Sequence, residues 1–339
     1  MAKFTDSIKL FVKILRQLLH FLTYINVATL NKAYFCITNL KIKQIMERNQ
    51  FLKSVIGITA MTTLGGFKTF ADNLKEQDEE MPVLFIGHGS PMNAIEENEF
   101  TEGWKAIAKT IPKPKAILCV SAHWETRGTF VTNMERPKTI HDFGGFPQAL
   151  FDVQYTAPGS KWLADETKKI ITSTSVGLDE TWGLDHGTWS ILKRLYPAAD
   201  VPVIELSLDY TKDAQYHYNL AKELAGLRKK GVLIIGSGNM VHNFQYAQMG
   251  KDGLGKVALD WALEANENFK KLISDNDFTS LINYQKYSKA LQLSAPTPEH
   301  YLPMLYAIAL RGKNENVSYF NDAVLGGSFS MTSLKIDKG

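Results

Sequence analysis

The 339-residue chain has only two cysteines, Cys36 and Cys119. This count excludes a disulfide framework and a zinc site built from cysteines. Cys119 lies in the apolar run AILCVSA, which predicts a small buried residue. The chain also lacks a GxxxxGK[ST] phosphate loop, a GxSxG nucleophile elbow and an HExxH metal motif. Its motifs therefore give no support to the enzyme classes that depend on these signatures.

A large excess of one charge is also missing, since the net charge is only +3. Residues 1–80 hold 11 Lys and Arg against 7 Asp and Glu, which leaves 27 basic and 28 acidic residues in the rest. The main body is thus almost neutral, and we expect no nucleic-acid surface on it. A hydrophobic content of 45% and a charged content of 22% are ordinary for a globular protein.

Residues 1–80 are predicted to be an N-terminal extension. Residues 1–45 contain IKLFVKILRQLLHFLTYINV, in which three basic residues interrupt an apolar pattern. This is typical of a basic amphipathic helix, which can lie on a membrane or dock on the body. From Met46 onward, a basic start and an uncharged stretch at 54–67 have the layout of an export signal. We expect a cytoplasmic protein, with Met46 as an alternative start and export as the alternative location.

The body reads as alternating strands and helices. Strands are predicted at 82–87, 116–122, 129–133, 201–207 and 231–238. Helices are predicted at 99–110, 161–174, 213–229, 255–274, 278–291 and 298–310. Continuous Val, Ile and Leu runs indicate strands buried on both faces. We therefore predict an α/β, three-layer fold with a central, mostly parallel sheet flanked by helices, in one domain at 81–335.

Six of the eight histidines lie in segments rich in glycine, proline and aromatic residues: His88, His123, His141, His186, His242 and His300. His20 belongs to the extension, and His217 is predicted to be either a surface residue or a packing residue of a helix. His88, His123 and His242 follow buried strands, and ligands of open α/β sheets bind beyond the carboxyl ends of strands. Because imidazole is a common ligand of transition metals, the pattern predicts a metal site there.

Residues next to these histidines also have candidate roles. Asp185 either orients the ring of His186 or caps a turn. The glycines beside His88 and His186 are predicted to leave room for a substrate near the metal.

The segments GHGSP, SAHWE, IHDFGGFP, GLDHGTW, GSGNMVHN and PTPEHYLP occur in this order within residues 81–335. Together they resemble the class III extradiol ring-cleavage dioxygenases, and within them the DOPA 4,5-dioxygenase branch. The resemblance implies an enzyme that opens a DOPA-like catechol with O₂ to a semialdehyde. The expected partners are thus the small catechol and O₂; the sequence predicts no oligomeric state.

The resemblance also implies one divalent metal, which is Fe(II) for ring cleavage, with Zn(II) as an alternative occupant. It assigns as ligands His88, His123, His242 and His300. It assigns an acid/base role to His186, and His242 matches an acid/base position in other branches. A catechol and O₂ take three sites on an octahedral ion, so only three remain for protein ligands. One of the four histidines must then leave the metal or lie close by as a proton carrier, and Glu299 stays an alternative to His300.

Aromatic residues near these motifs are interpreted either as pocket walls or as ordinary core: Trp124, Phe143, Phe146 and Tyr155. Two other functions use the same histidines. One is a zinc hydrolase, in which the metal activates water. The other is a non-catalytic protein that binds a metal or a ligand.

Overall fold

The computed structural model describes residues 80–250 and 253–339. The predictions made for residues 1–79 lie outside the described residues. The strands are β1 (Val83–Gly87), β2 (Ala116–Ser121), β3 (Glu125–Thr126), β4 (Thr129–Thr132), β5 (Val176–Asp179), β6 (Val203–Glu205), β7 (Leu208–Asp209), β8 (Val232–Gly238), β9 (Met249–Gly250), β10 (Gly253–Leu254), β11 (Asn316–Phe320), β12 (Val324–Leu325), β13 (Phe329–Ser330) and β14 (Ser333–Asp337). The helices are α1 (Glu99–Ala108), α2 (Gln148–Phe151), α3 (Lys161–Ile170), α4 (His186–Leu195), α5 (Ala214–Glu223), α6 (Ala225–Lys229), α7 (Asp260–Ser274), α8 (Phe278–Ile282), α9 (Lys289–Ser294) and α10 (Leu302–Ala309).

A central sheet runs through the described residues in the order β11-β14-β1-β8-β2-β6. The strands β1, β8, β2 and β6 are parallel to one another. At the other edge, β14 is antiparallel to β1 and β11 is antiparallel to β14. The prediction of a mostly parallel sheet is therefore confirmed. The remaining strands form two-stranded pairs, among them β4 with β5 and β3 with β7.

Helices cover both faces of this sheet. Val83 and Phe85 of β1 pack into one apolar cluster, together with residues of α3, α5, α7 and α10. Leu84 and Ile86 point to the other face, into a cluster with residues of α1 and α4. Alternate residues of a strand face opposite sides, so burial of all of them requires cover on both faces. The predicted three-layer arrangement is confirmed.

Some boundaries differ from the predictions. The helix predicted at 213–229 is divided at Leu224 into α5 and α6, and the one predicted at 278–291 is divided into α8, a 3₁₀ turn and α9. Helix α4 and the strands β11 and β14 were not predicted. Helix α4 begins with His-Gly-Thr-Trp, residues of modest or poor helix propensity, and the capping side chain of Asp185 starts it.

The carboxyl ends of β1, β8 and β2 meet at one edge of the sheet. In the ladders, Gly87 lies opposite Gly238, and Ser121 lies opposite Ser237. The segments that follow these strands therefore emerge side by side, as expected for a site at the carboxyl ends. Among residues 80–250 and 253–339, no helix has the length and apolar character needed to cross a bilayer.

Candidate metal centre

His88 and His123 are fixed by the ends of two neighbouring strands. The backbone N–H of His88 donates to the carbonyl of Gly238 at 3.1 Å, so the ladder between β1 and β8 continues into this residue. The N–H of Ala122 donates to the carbonyl of Ser237 at 3.0 Å, which extends β2 toward His123 in the same way. Both histidines thus lie within two residues of a strand end whose backbone is held by ladder hydrogen bonds, which limits the movement of their rings.

His300 joins them from the segment before α10. Its carbonyl accepts the N–H of Asn239 at 2.8 Å, which ties this segment to the end of β8. The ring centroids of His88, His123 and His300 lie 5.0 to 5.3 Å apart in pairs. One nitrogen from each ring lies within 4.8 Å of the others. We call these three residues the three-histidine cluster.

Oxygen atoms lie against the Nδ1 atoms of the cluster. The Nδ1 of His88 lies 3.0 Å from Ser237 Oγ, whose own O–H donates to the carbonyl of Gly187 at 2.6 Å. The Ser237 oxygen must then accept, so Nδ1 of His88 carries the proton. The Nδ1 of His123 lies 3.5 Å from Asp142 Oδ2, and that of His300 lies 3.1 Å from Glu299 Oε1. Protons on Nδ1 leave the Nε2 atoms unprotonated, the state in which a histidine binds a metal.

The unprotonated Nε2 atoms of His88 and His123 lie 3.3 Å apart. Two lone pairs at this distance repel unless a proton or a cation lies between them. Burial and neighbouring histidines lower the pKa of His88 and His300 well below the ordinary value. Burial and the adjacent His186 lower the pKa of His123 to about 3. A proton is therefore disfavoured at neutral pH, and the donor set fits one metal ion held by neutral imidazoles.

His186 lies beside the cluster, with its ring centroid 3.8 Å from that of His123. It is the first residue of α4, and both its backbone N–H and its Nδ1 contact the carboxylate of Asp142 at 2.9 Å. Asp142 was missed by the sequence analysis. The signal was a carboxylate directly after His141 in the segment IHDFGGFP. Asp142 therefore orients His186, the role that the sequence had left open for Asp185.

Asp185 is a helix cap. Its Oδ1 accepts the N–H of Thr188 at 3.1 Å and the hydroxyl of Ser121 at 2.7 Å. It is fully buried, and its own N–H donates to Glu205 Oε1 at 2.9 Å. Of the two roles considered for it, the structure supports the cap.

His242 lies flat against His300. The ring centroids are 3.5 Å apart and the planes differ by only 6°. A bound metal lies in the plane of each imidazole, about 2.0 Å from the nitrogen. An ion in the plane of one stacked ring lies outside the plane of the other, so joint binding by His242 and His300 requires one ring to turn. Ligand atoms of His242, Glu299 and His300 nevertheless lie within 4.8 Å of one another, as in a group that could hold a metal ion. Burial lowers the pKa of His242 to about 4.

The two other described histidines lie outside the cluster. The Nε2 of His141 lies 3.1 Å from the carbonyl of Val153, among aromatic rings. His217 is fully buried, with Nδ1 at 3.0 Å from the hydroxyl of Tyr306. The packing role predicted for His217 agrees with these contacts.

The aromatic residues near the motifs divide into two groups. Phe143 borders the site, with its ring centroid 5.5 Å from that of His186, and Phe146 packs on Phe143. Trp124 is buried and stacks on Trp182. Tyr155 is also buried and donates its hydroxyl to the carbonyl of Tyr196. Trp124 and Tyr155 are thus core residues.

The prediction that the flanking glycines leave room for a substrate is wrong for Gly87, Gly89 and Gly187. A Cβ on Gly87 would lie 2.6 Å from the backbone of Met331, and one on Gly89 would lie 2.4 Å from the sulfur of that residue. A Cβ on Gly187 would lie 2.5 Å from Ser121 Oγ and 2.9 Å from the His123 ring. The space beside these glycines is filled by protein, and their small size lets the cluster close.

The fold and the cluster together define an α/β enzyme with a site compatible with a single metal ion. The family described as the catalytic LigB subunit of aromatic ring-opening dioxygenase matches residues 82–326. The chain belongs to this family and is an extradiol aromatic ring-opening dioxygenase. The resemblance stated from the sequence motifs is thereby confirmed.

Individual relatives support the same assignment. The chain is 44% identical over 260 residues to a 4,5-DOPA dioxygenase extradiol of Escherichia coli (strain K12), which covers 76% of this chain and 94% of the relative. It is 36% identical over 273 residues to a protein of the same name from Beta vulgaris, and this match covers 78% of this chain and 97% of the relative. The crystal structure of an uncharacterized protein from Escherichia coli K12 superposes with a TM-score of 0.65 at 38% identity, covering 75% of this chain and 99% of that one.

Proposed function

We propose that the protein opens the ring of a DOPA-like catechol next to its two hydroxyls, with O₂ as the second substrate and a semialdehyde as the product. The observation that carries this proposal is the pairing of the three-histidine cluster with a carboxylate-held His186 at its side. The names of the relatives from Escherichia coli and Beta vulgaris support DOPA as the substrate type.

The metal in this proposal is Fe(II), held by His88, His123 and His300. When bound, Fe(II) gives the catechol oxygens and O₂ a common site and a path for electrons. Zn(II) accepts the same nitrogen donors but undergoes no redox change, so it would fill the site without supporting ring opening. Glu299 orients His300 through Nδ1 and is not itself a ligand in this assignment.

His186 removes a proton from a catechol hydroxyl. Its Nδ1–H donates to Asp142, which leaves Nε2 with a free lone pair. Partial burial raises the pKa of Asp142, but its hydrogen bonds to His186 outweigh this effect and hold the pKa below the ordinary value. Asp142 therefore remains a carboxylate and an acceptor at neutral pH. This arrangement fixes the tautomer of a general base, as base-orienting carboxylates do in other enzymes.

His242 is the second acid/base group. Its stacking on His300 disfavours joint binding of one ion and places it at the edge of the cluster. His242 is neutral at pH 7 and has a free lone pair for a proton, and its lowered pKa makes the protonated ring a strong acid that returns the proton. The proposal is thus consistent with three protein ligands on an octahedral ion that also binds the catechol and O₂, since three histidines bind the metal and the fourth transfers protons.

The catalytic unit in this proposal spans residues 81–335, and residues 1–80 form an N-terminal extension. The family match at 82–326 falls within the first of these ranges. The cytoplasm is its proposed location.

The test is reconstitution of the apoprotein with Fe(II) without oxygen, followed by O₂ uptake measurements on a small panel of catechols. We expect one O₂ consumed per catechol and a yellow ring-opened product. The Zn(II)-loaded protein is the control and should consume no O₂. Hydrolysis of an ester or amide by the Zn(II) form, with no O₂ uptake by the Fe(II) form, would contradict the proposal in favour of a hydrolase.

A further inference from the structure

Phe244 is the most exposed large hydrophobic side chain in the described part of the chain, with 68% of its surface accessible. It nevertheless lies beside His242, at the edge of the three-histidine cluster. Its ring centroid is 5.0 Å from that of His242 in an edge-to-face contact, and 5.0 Å from that of Phe329. An aromatic ring this exposed, two residues after a site histidine, has a large apolar face without a partner.

The exposure does not come from a loosely held turn. Phe244 begins the 3₁₀ turn Phe244–Tyr246, which Asn243 caps by accepting the N–H of Gln245 at 3.0 Å. The side chain of Asn243 also donates to the carbonyl of Leu293 at 2.7 Å. The Ser328 hydroxyl donates to the carbonyl of Asn243 at 2.7 Å, and Asn243 is buried. The turn is therefore anchored from two sides, and it holds the phenyl ring in place.

The position of Phe244 next to His242 determines which part of a bound substrate its ring can contact. His242 stacks on His300, and His300 belongs to the three-histidine cluster. A catechol bound through its hydroxyls at the cluster has its ring substituent on the side away from the metal. A substituent that runs past His242 would meet the free face of Phe244. A rigid aromatic ring binds an apolar chain or ring at low conformational cost.

We propose that Phe244 is a specificity-determining residue that packs against the ring substituent of the catechol. The expected consequence of this contact is a preference for catechols with a substituent of at least two carbons, as in the DOPA-like substrate proposed above, over unsubstituted catechol. This inference rests on the proposed function, because it takes catechol cleavage as the reaction. It adds a contact on the His242 side, where the sequence analysis identified no pocket residue.

The test compares Phe244→Ala and the conservative Phe244→Leu with Tyr287→Ala. Tyr287 is the matched control, since it is an aromatic residue 44% exposed and none of its described contacts involves the cluster. Each Fe(II)-loaded variant is assayed with unsubstituted catechol and with a catechol that carries a two- to three-carbon chain. Metal content and native mass are measured in parallel.

For Phe244→Ala we expect kcat/KM on the substituted catechol to fall about tenfold, mostly through KM, as for a lost hydrophobic contact. Activity on unsubstituted catechol should stay within about twofold, since that substrate lacks the group involved. Phe244→Leu should retain most of the activity, and Tyr287→Ala should match the wild type on both substrates.

An equal loss on both substrates would overturn the inference and make Phe244 a support for His242. An unchanged kcat/KM together with a changed native mass would also overturn it and make the ring a contact between two copies of the chain. If the wild-type protein opens neither catechol, the proposed function itself fails. The two failures are therefore distinguishable.

Discussion

The imidazole rings of His242 and His300 lie parallel, with centroids 3.5 Å apart and planes 6° from each other. Because a metal lies in the plane of a ring that binds it, one ion could be shared by these two rings only if one of them turned. Two residues that the sequence placed in one ligand set are thus separated by geometry. Their substitution should have different effects.

We expect His300→Ala to lose metal and His242→Ala to keep it. The first change removes one of three donors, so metal affinity should fall at least about 100-fold. The second removes a proton carrier, so kcat should fall about 10²- to 10⁴-fold at full metal content. Metal analysis after dialysis and turnover at saturating Fe(II) measure the two effects. Equal metal loss in both variants would show that His242 is a ligand.

Asp142→Asn should impair turnover more strongly than metal binding. The amide keeps the shape of the side chain but can present an N–H to Nδ1 of His186, which favours the wrong tautomer of the base. We expect kcat to fall about 10²- to 10⁴-fold at saturating Fe(II). Metal affinity should fall by about tenfold at most, because Nδ1 of His123 also lies 3.5 Å from Asp142 Oδ2. Asp152→Asn is the control, because Asp152 is exposed and its side chain is bonded only to Gln148. A wild-type kcat in Asp142→Asn would contradict the proposal that Asp142 orients His186.

Gly187→Ala should weaken metal binding. The added methyl would lie 2.5 Å from Ser121 Oγ and 2.9 Å from the His123 ring, so the ring must shift. We expect metal affinity to fall about 10- to 100-fold, a loss of the size seen when the support of a ligand is disturbed. Gly226→Ala makes the same chemical change in helix α6, where nothing lies within 4 Å of the new atom. Competition with a chelator measures both affinities, and equal values would contradict the prediction.

Arg228→Met should destabilise the fold strongly. The guanidinium forms a buried ion pair with Glu315 and donates to the carbonyls of Met81 at 2.7 Å and Leu310 at 2.8 Å. Its loss leaves the buried carboxylate of Glu315 without its cationic partner, although the N–H of Gly312 still donates to it at 2.7 Å. Breaking a buried ion pair in this way costs about 3–5 kcal/mol. Lys113→Met breaks the exposed pair with Asp200 and should cost no more than about 1 kcal/mol. Urea unfolding monitored by circular dichroism gives the free energy of unfolding of both variants. A smaller loss in Arg228→Met than in Lys113→Met would contradict the stabilising role of the buried pair.

His217 should make the stability of the fold dependent on pH. Burial lowers the pKa of His217 from 6.5 to about 4. Between these values the unfolded chain binds the proton and the folded chain does not, so this stability is complete above pH 6.5 and is lost as pH falls toward 4. His217→Gln should show a shallower decline of the unfolding free energy over this interval, with metal-loaded protein used throughout. Identical slopes in the two proteins would exclude the effect.

The strand pattern was sufficient to predict where His88 and His123 lie. Continuous apolar runs indicate buried parallel strands, and the carboxyl ends of such strands meet at one edge of a sheet. The same reasoning could not supply Asp142, because its contact with His186 joins loops 44 residues apart and depends on side-chain direction. The stacking of His242 on His300 also depends on side-chain directions that the sequence does not give. Sequence motifs identify which residues gather, whereas ring planes and hydrogen-bond partners decide what each of them does.

The glycines and the edge strands show a second kind of limit. Gly87 and Gly187 mark close contacts within the protein, and only coordinates reveal that Met331 and His123 fill the space beside them. Strands β11 and β14 are short, and they lack the long apolar runs from which the parallel strands were predicted. Their positions are set by pairing with β1 and with each other. Tertiary pairing of this kind outweighs local propensity.

The strand that carries His88 has β14 as its neighbour on one side. The N–H of Gly87 donates to Ser333 Oγ at 3.0 Å, across a separation of 246 residues. A ribosome that is still translating the middle of the chain therefore exposes His88 and His123 without the strand that borders the first of them. Contacts of such long range form late. A chain that ends before β14 lacks the border of the strand that carries His88, so we expect such a truncated product to bind metal more weakly than the full-length chain.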